Sequence, residues 1–343
     1  MTAVELLPPG EATPDNPRWH ELRRAGVTAS EIAVVMGLSK WDSPFNLYWS
    51  KLNGWSGEDS EIMSTGRHLE DAIAEWWMAE RDPLENLHAE RAGLYAHSER
   101  PWELATPDRL LFLACEGCDG AGWGVKLSTG YTCQDCDARP PVALLECKWV
   151  AYSWDGWGEP GTDDIPVHYR AQALWQADVM GVEEVHIAAL GPGGFRSYLV
   201  RRDENDLAVM RKAGEDFVRR LVEGDPPPLD SHTATLGALK RLHPQVGEGS
   251  VEVNPKLAED YREARAARAN ADGWVAAVEA QIRSALGGEY QRAVSGGLLV
   301  ASRSIFETRR IDSARLRTER PEIAEAYTTV TTVDKLTPGR AKS

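Results

Sequence analysis

Apolar residues recur along the chain in two rhythms, one helical and one alternating. Residues 19–24 read as a short helix that ends before Gly26. Thr28-Ala29-Ser30-Glu31 precedes an apolar run, 32–36, in the S/T-x-x-E form of a capping box, so Thr28 is expected to cap a helix ending near Gly37. Ser43-Pro44 opens another helix, with Pro at its first position, and Asn53-Gly54 stops it. A longer helix is expected over 62–80, before Pro83. Strand-like segments follow at 104–113 and 142–150, separated by a Gly- and Cys-rich insert. A helix over 166–180 then leads to strands at 185–190 and 195–201, joined by a turn at Gly191-Pro192-Gly193-Gly194. A helix over 206–223 runs into Asp225-Pro226-Pro227-Pro228, which reads as a linker. Beyond it, Asn254-Pro255 opens a long helix reaching Gly287-Gly288, and 289–343 reads as a hairpin plus a short helix. The Pro-rich first 17 residues read as an irregular arm.

This order predicts an α/β fold with a mixed β-sheet flanked by helices. The expected domains are 1–224, interrupted by the insert at 114–141, and a mainly helical region at 225–343. A hydrophobic content of 42% is enough for a full core. No apolar run has the roughly 18 residues of a membrane span. The N-terminal residues lack the sections of a signal peptide, so the cytoplasm is the expected compartment. A net charge of −15 excludes holding nucleic acid by bulk positive field, though not by a local basic channel. The acidity lies in the first two thirds, and the Arg-rich stretch 283–320 is a candidate phosphate-tracking surface or a plain solvated face.

Several residues could do chemistry. On a strand Glu146 and Lys148 share one face, with Leu145, Cys147 and Trp149 on the other. A buried carboxylate and ammonium are costly unless paired or ligating, while on a solvated face they are an ordinary ion pair. Asp108 follows Pro107 and would converge with Glu146 if the two strands pair. Two adjacent carboxylates repel unless a cation lies between them, and oxygen-only ligation suits Mg²⁺ or Mn²⁺. The competing role for Asp108 is turn formation. Glu70 shares a helical stripe with Ile73, Ala74 and Trp77, which points it inward or leaves it at the boundary. Gln172 lies on a helix face with Tyr169 and Gln176.

These pieces, in order, resemble a known family. Trp19-His20-x-x-Arg23, Gly26 to Glu31, Ser43-Pro44-Phe45, Gly66-x-x-Leu69-Glu70, Pro107-Asp108, Glu146-Cys147-Lys148 and Tyr169-Arg170-Ala171-Gln172 are similar to the YqaJ-type phage recombination nucleases. Those belong with lambda exonuclease in the PD-(D/E)XK superfamily, whose core is restriction-endonuclease-like. The resemblance implies that Asp108 and Glu146 bind a catalytic Mg²⁺ (or Mn²⁺), with the Cys147 carbonyl assisting and Glu70 adding negative charge. It makes Lys148 the residue that orients or activates the attacking water, and Gln172 its support. Arg23 and Ser30 match the family's pocket for a DNA 5′-phosphate; Arg24 is a nearby alternative to Arg23. Ser30 is also expected in the first turn of its helix, where free N–H groups favour an anion. Arg109 departs from the pattern, because Gly usually follows the Pro-Asp.

The resemblance does not explain the insert. Cys115-x2-Cys118 and Cys133-x2-Cys136, fourteen residues apart, have the spacing of a four-Cys zinc knuckle or ribbon. An iron–sulfur centre is the alternative. Five cysteines in all leave Cys147 over, expected as a small buried residue. The expected function is a metal-dependent 5′→3′ double-strand DNA exonuclease that resects DNA ends for phage recombination. The alternatives are a structure- or site-specific endonuclease on the same core, or a non-catalytic DNA-binding module. Expected partners are duplex DNA ends, a single-strand annealing protein and, by resemblance, two further copies in a trimeric ring.

Overall fold

The structure, a computed structural model, describes residues 3–55, 60–80, 87–113, 140–331 and 333–339. The expected zinc ligands Cys115, Cys118, Cys133 and Cys136 lie outside these residues. The chain forms two compact units, Met1–Pro244 and Gln245–Ser343. The first is mixed α/β, built on two mixed sheets.

The larger sheet has the order β3-β6-β7-β8-β9, from β3 (Leu87–Arg91), β6 (Arg109–Leu113), β7 (Ala143–Trp149), β8 (Glu184–Gly191) and β9 (Gly194–Arg201). Only β7 and β8 run parallel; the other neighbours are antiparallel. A parallel pair needs a crossover, supplied here by α5 (Val167–Met180). The pleat then decides what each helix covers. Leu145, Cys147 and Ala188 turn to α4 (Glu61–Ala79), whose Ile73, Ala74 and Trp77 pack on them. Leu144, Val185, Ile187 and Ala189 turn to the α5 side. Helix α4 starts where Ser60 accepts the Met63 N–H at 3.2 Å. Trp77 is 1% exposed, so truncating it to Ala would cost about 3–5 kcal/mol.

The smaller sheet joins β1 (Ala3–Leu7), β4 (Leu94–His97), β5 (Glu103–Ala105) and β2 (Val27–Thr28), in that order. Three expectations fail here. The N-terminal arm is irregular only from Pro8 onward, because 3–7 pair antiparallel with β4. The segment 104–113 is two strands in different sheets, divided at Thr106-Pro107-Asp108. Thr28 does not cap a helix, because it is taken up in β2, which pairs parallel with β5. The helix α2 (Ile32–Val35) starts later and is four residues long. Half of the capping box survives: the Thr28 N–H donates to Glu31 Oε2 at 2.9 Å. Gly26 makes the parallel pairing possible, since a Cβ there would sit 2.2 Å from the Trp102 carbonyl oxygen.

Helix α1 is Pro17–Arg24 and α3 is Pro44–Asn53, the latter capped by Ser43 and closed by Gly54 at φ +65°. Helix α6 (Glu204–Glu223) ends before the Pro-rich linker. The chain then returns as α7 (Thr233–Leu242), which the helical pattern did not reveal, and packs on α3. Thr235 Oγ1 donates to Ser43 Oγ at 2.7 Å. The compact unit therefore extends past the linker to Pro244.

In the second unit, α8 (Pro255–Leu286) runs for 32 residues with only Leu286 buried. A hairpin, β10 (Arg292–Ser295) with β11 (Leu298–Ser302), and two short helices, α9 (Ser313–Glu319) and α10 (Pro321–Ala326), follow. Among the described residues no helix is long and apolar enough to cross a membrane.

Candidate active site

Strands β6 and β7 are antiparallel with Arg109 opposite Leu145. One residue further brings Asp108 level with Glu146. The Cys147 N–H donates to Asp108 Oδ2 at 2.6 Å, which fixes that carboxylate beside the Glu146–Cys147 peptide. Glu146 is 3% exposed, yet three donors reach it. Gln172 Nε2 donates to its Oε1 at 2.6 Å, Gln176 Nε2 to its Oε2 at 2.7 Å, and Lys148 Nζ to Oε1 at 2.5 Å. Lys148 Nζ also donates to Gln172 Oε1 at 3.2 Å and lies 5.0 Å from the Tyr169 ring centre. Gln172 and Gln176 are one helical turn apart on α5, so the crossover helix clamps the carboxylate from one side.

Charge crowding sets the protonation of this group. Burial pushes the Asp108 carboxyl well above its ordinary range, and the negative charges of Glu146 and Glu70 push it further. Lys148 is buried, which opposes its charge, but the pull of Glu146 and Asp108 outweighs burial and raises its pKa. It is therefore an ammonium at neutral pH, a donor and a charge rather than a free base. The Cys147 thiol is pushed up by burial and by Asp108 and Glu146, so it stays protonated and unreactive.

Glu70 reaches the site from α4. Arg109 Nη1 donates to Glu70 Oε1 at 2.9 Å and to the Asp108 carbonyl at 2.6 Å, while Nη2 donates to Asp71 Oδ1 at 2.5 Å. The residue that departs from the family pattern thus ties Glu70 to the Pro-Asp turn. Among the described residues no three His, Cys, Asp or Glu side chains are gathered as a metal group. The ligand set on offer is two carboxylates, Asp108 and Glu146, with the intervening main chain.

Arg23 and Ser30 lie elsewhere in the same unit, on a cavity of about 580 Å³. Arg23 Nη2 donates to Ser30 Oγ at 3.4 Å, and its guanidinium stacks on Trp19 at 4.2 Å. Ser30 does not sit in the first turn of α2 but in the turn before it, with its hydroxyl 3.1 Å from Thr28 Oγ1. Lys51 Nζ donates to Glu31 Oε2 and to the Arg23 carbonyl, both at 2.8 Å. Burial opposes ionisation of Glu31, but Lys51 and Arg23 outweigh it and hold its carboxyl below the usual range. Arg24 lines the cavity too, and so does Arg241 from α7, 5.2 Å from the Trp55 ring centre. Sequence reasoning missed Lys51 and Arg241. Lys51 sat among the polar positions of α3, and Arg241 belonged to a helix that the pattern did not announce.

Residues 18–183 match the YqaJ-like viral recombinase domain. The family resemblance carried by the motifs is borne out. The chain is also 27% identical over 232 residues to YqaJ of Bacillus subtilis (strain 168), described as an uncharacterized protein, covering 66% of this chain and 62% of that one. The chain thus spans less than two thirds of that relative's length. Among solved structures, an alkaline exonuclease (LHK-Exo) from Laribacter hongkongensis is 20% identical, covers 66% of this chain and 96% of its own, and has a TM-score of 0.42. A phage-related exonuclease from Haemophilus somnus 129PT is 10% identical, covers 58% and 96%, and has a TM-score of 0.38. The residues that match this domain include Arg23, Ser30, Glu70, Asp108, Glu146, Lys148 and Gln172. Arg241 lies beyond its matched residues and reaches the Arg23 cavity from outside it.

Proposed function

We propose that the protein is a metal-dependent DNA exonuclease that degrades duplex ends from the 5′ side, on a PD-(D/E)XK-type core. The observation that carries this reading is the meeting of Asp108, just before β6, with Glu146 and Lys148 on β7 and Gln172 on α5. The donor set fits Mg²⁺ or Mn²⁺: both side chains offer hard oxygens, and the Asp108 pKa is lifted by burial and then by repulsion from Glu146 and Glu70, which a divalent cation relieves. Asp108, Glu146 and the Cys147 carbonyl would hold the ion. When bound, it would neutralise charge developing on the scissile phosphate and acidify water.

The remaining work falls to the chain itself. Lys148 places a fixed positive charge and a donor beside the carboxylates, suited to a phosphate oxygen or an attacking water. Gln172 and Gln176 hold Glu146 in one orientation. Arg109 holds Glu70 close enough to add negative charge without leaving it unpaired. Arg23, Ser30, Lys51 and Arg241 form a cationic, hydrogen-bonding cavity suited to a terminal phosphate, which supports the 5′ polarity. Cys115, Cys118, Cys133 and Cys136 would hold one structural Zn²⁺, on their spacing alone. End resection for phage recombination, an annealing-protein partner, assembly into a ring and a cytoplasmic location follow from the family as parts of the same proposal.

The test is digestion of linear duplexes carrying 5′-phosphate or 5′-hydroxyl ends. Mg²⁺-dependent release of nucleotides, faster from phosphorylated ends, is expected. Cleavage of closed circular DNA at an equal rate would point to an endonuclease instead.

A further inference from the structure

An aromatic run leads outward from the candidate catalytic lysine. Lys148 Nζ lies 5.0 Å from the Tyr169 ring centre. Tyr169 and His168 have ring centres 4.1 Å apart, and His168 meets Trp41 edge-to-face at 4.6 Å. Trp41 ends the run and is 59% exposed, in the loop between α2 and α3. Lys40 sets a second ammonium 4.7 Å from the Trp41 ring centre. On the other side of Trp41, the next residue, Asp42, lines the cavity that holds Arg23 and Ser30.

We propose that Trp41 stacks on a nucleobase of the strand being degraded, between the terminal-phosphate cavity and Lys148. This rests on the nuclease reading above. The contacts run from the cavity through Asp42 and Trp41 to His168, Tyr169 and Lys148, so a strand with its 5′ end in the Arg23 cavity and a phosphodiester at Lys148 would run along the loop that carries Trp41. What it presents there is a planar base attached to anionic phosphate. The loop offers a matching pair, an exposed indole held by His168 and a flexible cation, Lys40. Aromatic faces accept any base, so such a contact is sequence-tolerant, as an exonuclease requires. The indole also explains itself poorly as core: its packing partner is the His168 ring, and most of its surface meets water.

Full-length protein in EDTA, with a duplex bearing a 5′-phosphate and a 3′ fluorophore, gives binding by anisotropy without turnover. A second duplex replaces the first two nucleotides of the 5′ strand with abasic residues. Trp41→Ala is expected to weaken binding to the natural end by about tenfold, equivalent to about 1.4 kcal/mol. The same variant should bind the abasic end as the wild type does, and Trp41→Phe should recover most of the natural affinity. An equal loss on both duplexes, or no loss on either, overturns the proposal. A Trp41→Phe protein as weak as Trp41→Ala also counts against it, since a retained aromatic face should still stack. Failure of the wild type to bind either duplex also overturns this inference, while the nuclease reading stands or falls separately on digestion in Mg²⁺.

Discussion

Replacing Arg109 with Ala removes the cation that joins Glu70, Asp71 and the Asp108 carbonyl. The Arg109 side chain is 8% exposed, Glu70 29% and Asp71 51%. The three bonds are therefore unequal. A charge-assisted hydrogen bond contributes about 1.5–3 kcal/mol when screened from water, and an exposed ion pair about 0.2–1 kcal/mol. The Asp71 pair belongs to the second class and the Glu70 pair lies between them. The bond to the Asp108 carbonyl adds about 1 kcal/mol. The sum for Arg109→Ala is a loss of roughly 2–4 kcal/mol of folding stability. Glu70→Gln should cost less, about 1 kcal/mol, because Arg109 keeps its other two acceptors.

The double variant separates contact from packing. If Arg109 acts on Glu70 directly, urea unfolding of the four proteins should give a coupling of about 1 kcal/mol. The expected functional sign is also fixed. Without Arg109, an unpaired Glu70 adds to the repulsion on Asp108, whose carboxyl should then titrate at still higher pH. A coupling near zero, or a lower Asp108 pKa in Arg109→Ala, would refute the reasoning.

Arg23→Ala and Arg241→Ala should each slow digestion of 5′-phosphorylated ends by about ten- to a hundredfold while changing 5′-hydroxyl ends little, since a guanidinium at a phosphate contributes on the order of 1.5–3 kcal/mol. Asp178 is buried and accepts from Arg100, Arg202 and Arg211. Burial would raise its pKa, but the hydrogen bonds from Arg211 and Arg202 hold it at about 2, below its ordinary value of 3.8. Its stabilisation is therefore full above pH 4 and lost as pH falls from 4 through 2. Asp178→Asn should cost about 3–5 kcal/mol in thermal or urea unfolding at pH 7, and its penalty should shrink across that acid window. Elemental analysis should find about one zinc per chain, lost in Cys115→Ser or Cys133→Ser; iron with a brown colour would favour a cluster, and no metal under reducing conditions would end the zinc assignment.

The elements that sequence reading reached are those with strong local signals. Ser43-Pro44 with Asn53-Gly54 marked α3, and the Ile73, Ala74 and Trp77 stripe marked the buried face of α4. The alternation in β7 assigned Glu146 and Lys148 to one face and Leu145 and Cys147 to the other, which the packing matches. What escaped depends on distant partners. Val27-Thr28 is a strand only because Glu103-Leu104 lies alongside, and the same residues spell a capping box when read locally. Residues 3–7 pair with β4, some ninety positions away, and carry no turn signal of their own. Arg109 was visible as a departure, but its partners Glu70 and Asp71 sit almost forty residues back on α4. Gln176 was seen as a polar neighbour of Gln172, while its bond to Glu146 required α5 to lie across β7.

The most direct test compares wild type with Asp108→Asn and Glu146→Gln on a linear, 5′-phosphorylated duplex, with Mg²⁺ and with EDTA. Both substitutions keep side-chain shape while removing the negative charge, so circular dichroism should show the fold retained. Nucleotide release by wild type in Mg²⁺ alone is expected, with a fall of at least about a hundredfold in each variant, because a metal-binding charge is lost. Wild-type protein that leaves the duplex intact in Mg²⁺ and in Mn²⁺, or variants that digest it at the wild-type rate, would show that Asp108 and Glu146 do not form a metal-dependent nuclease site.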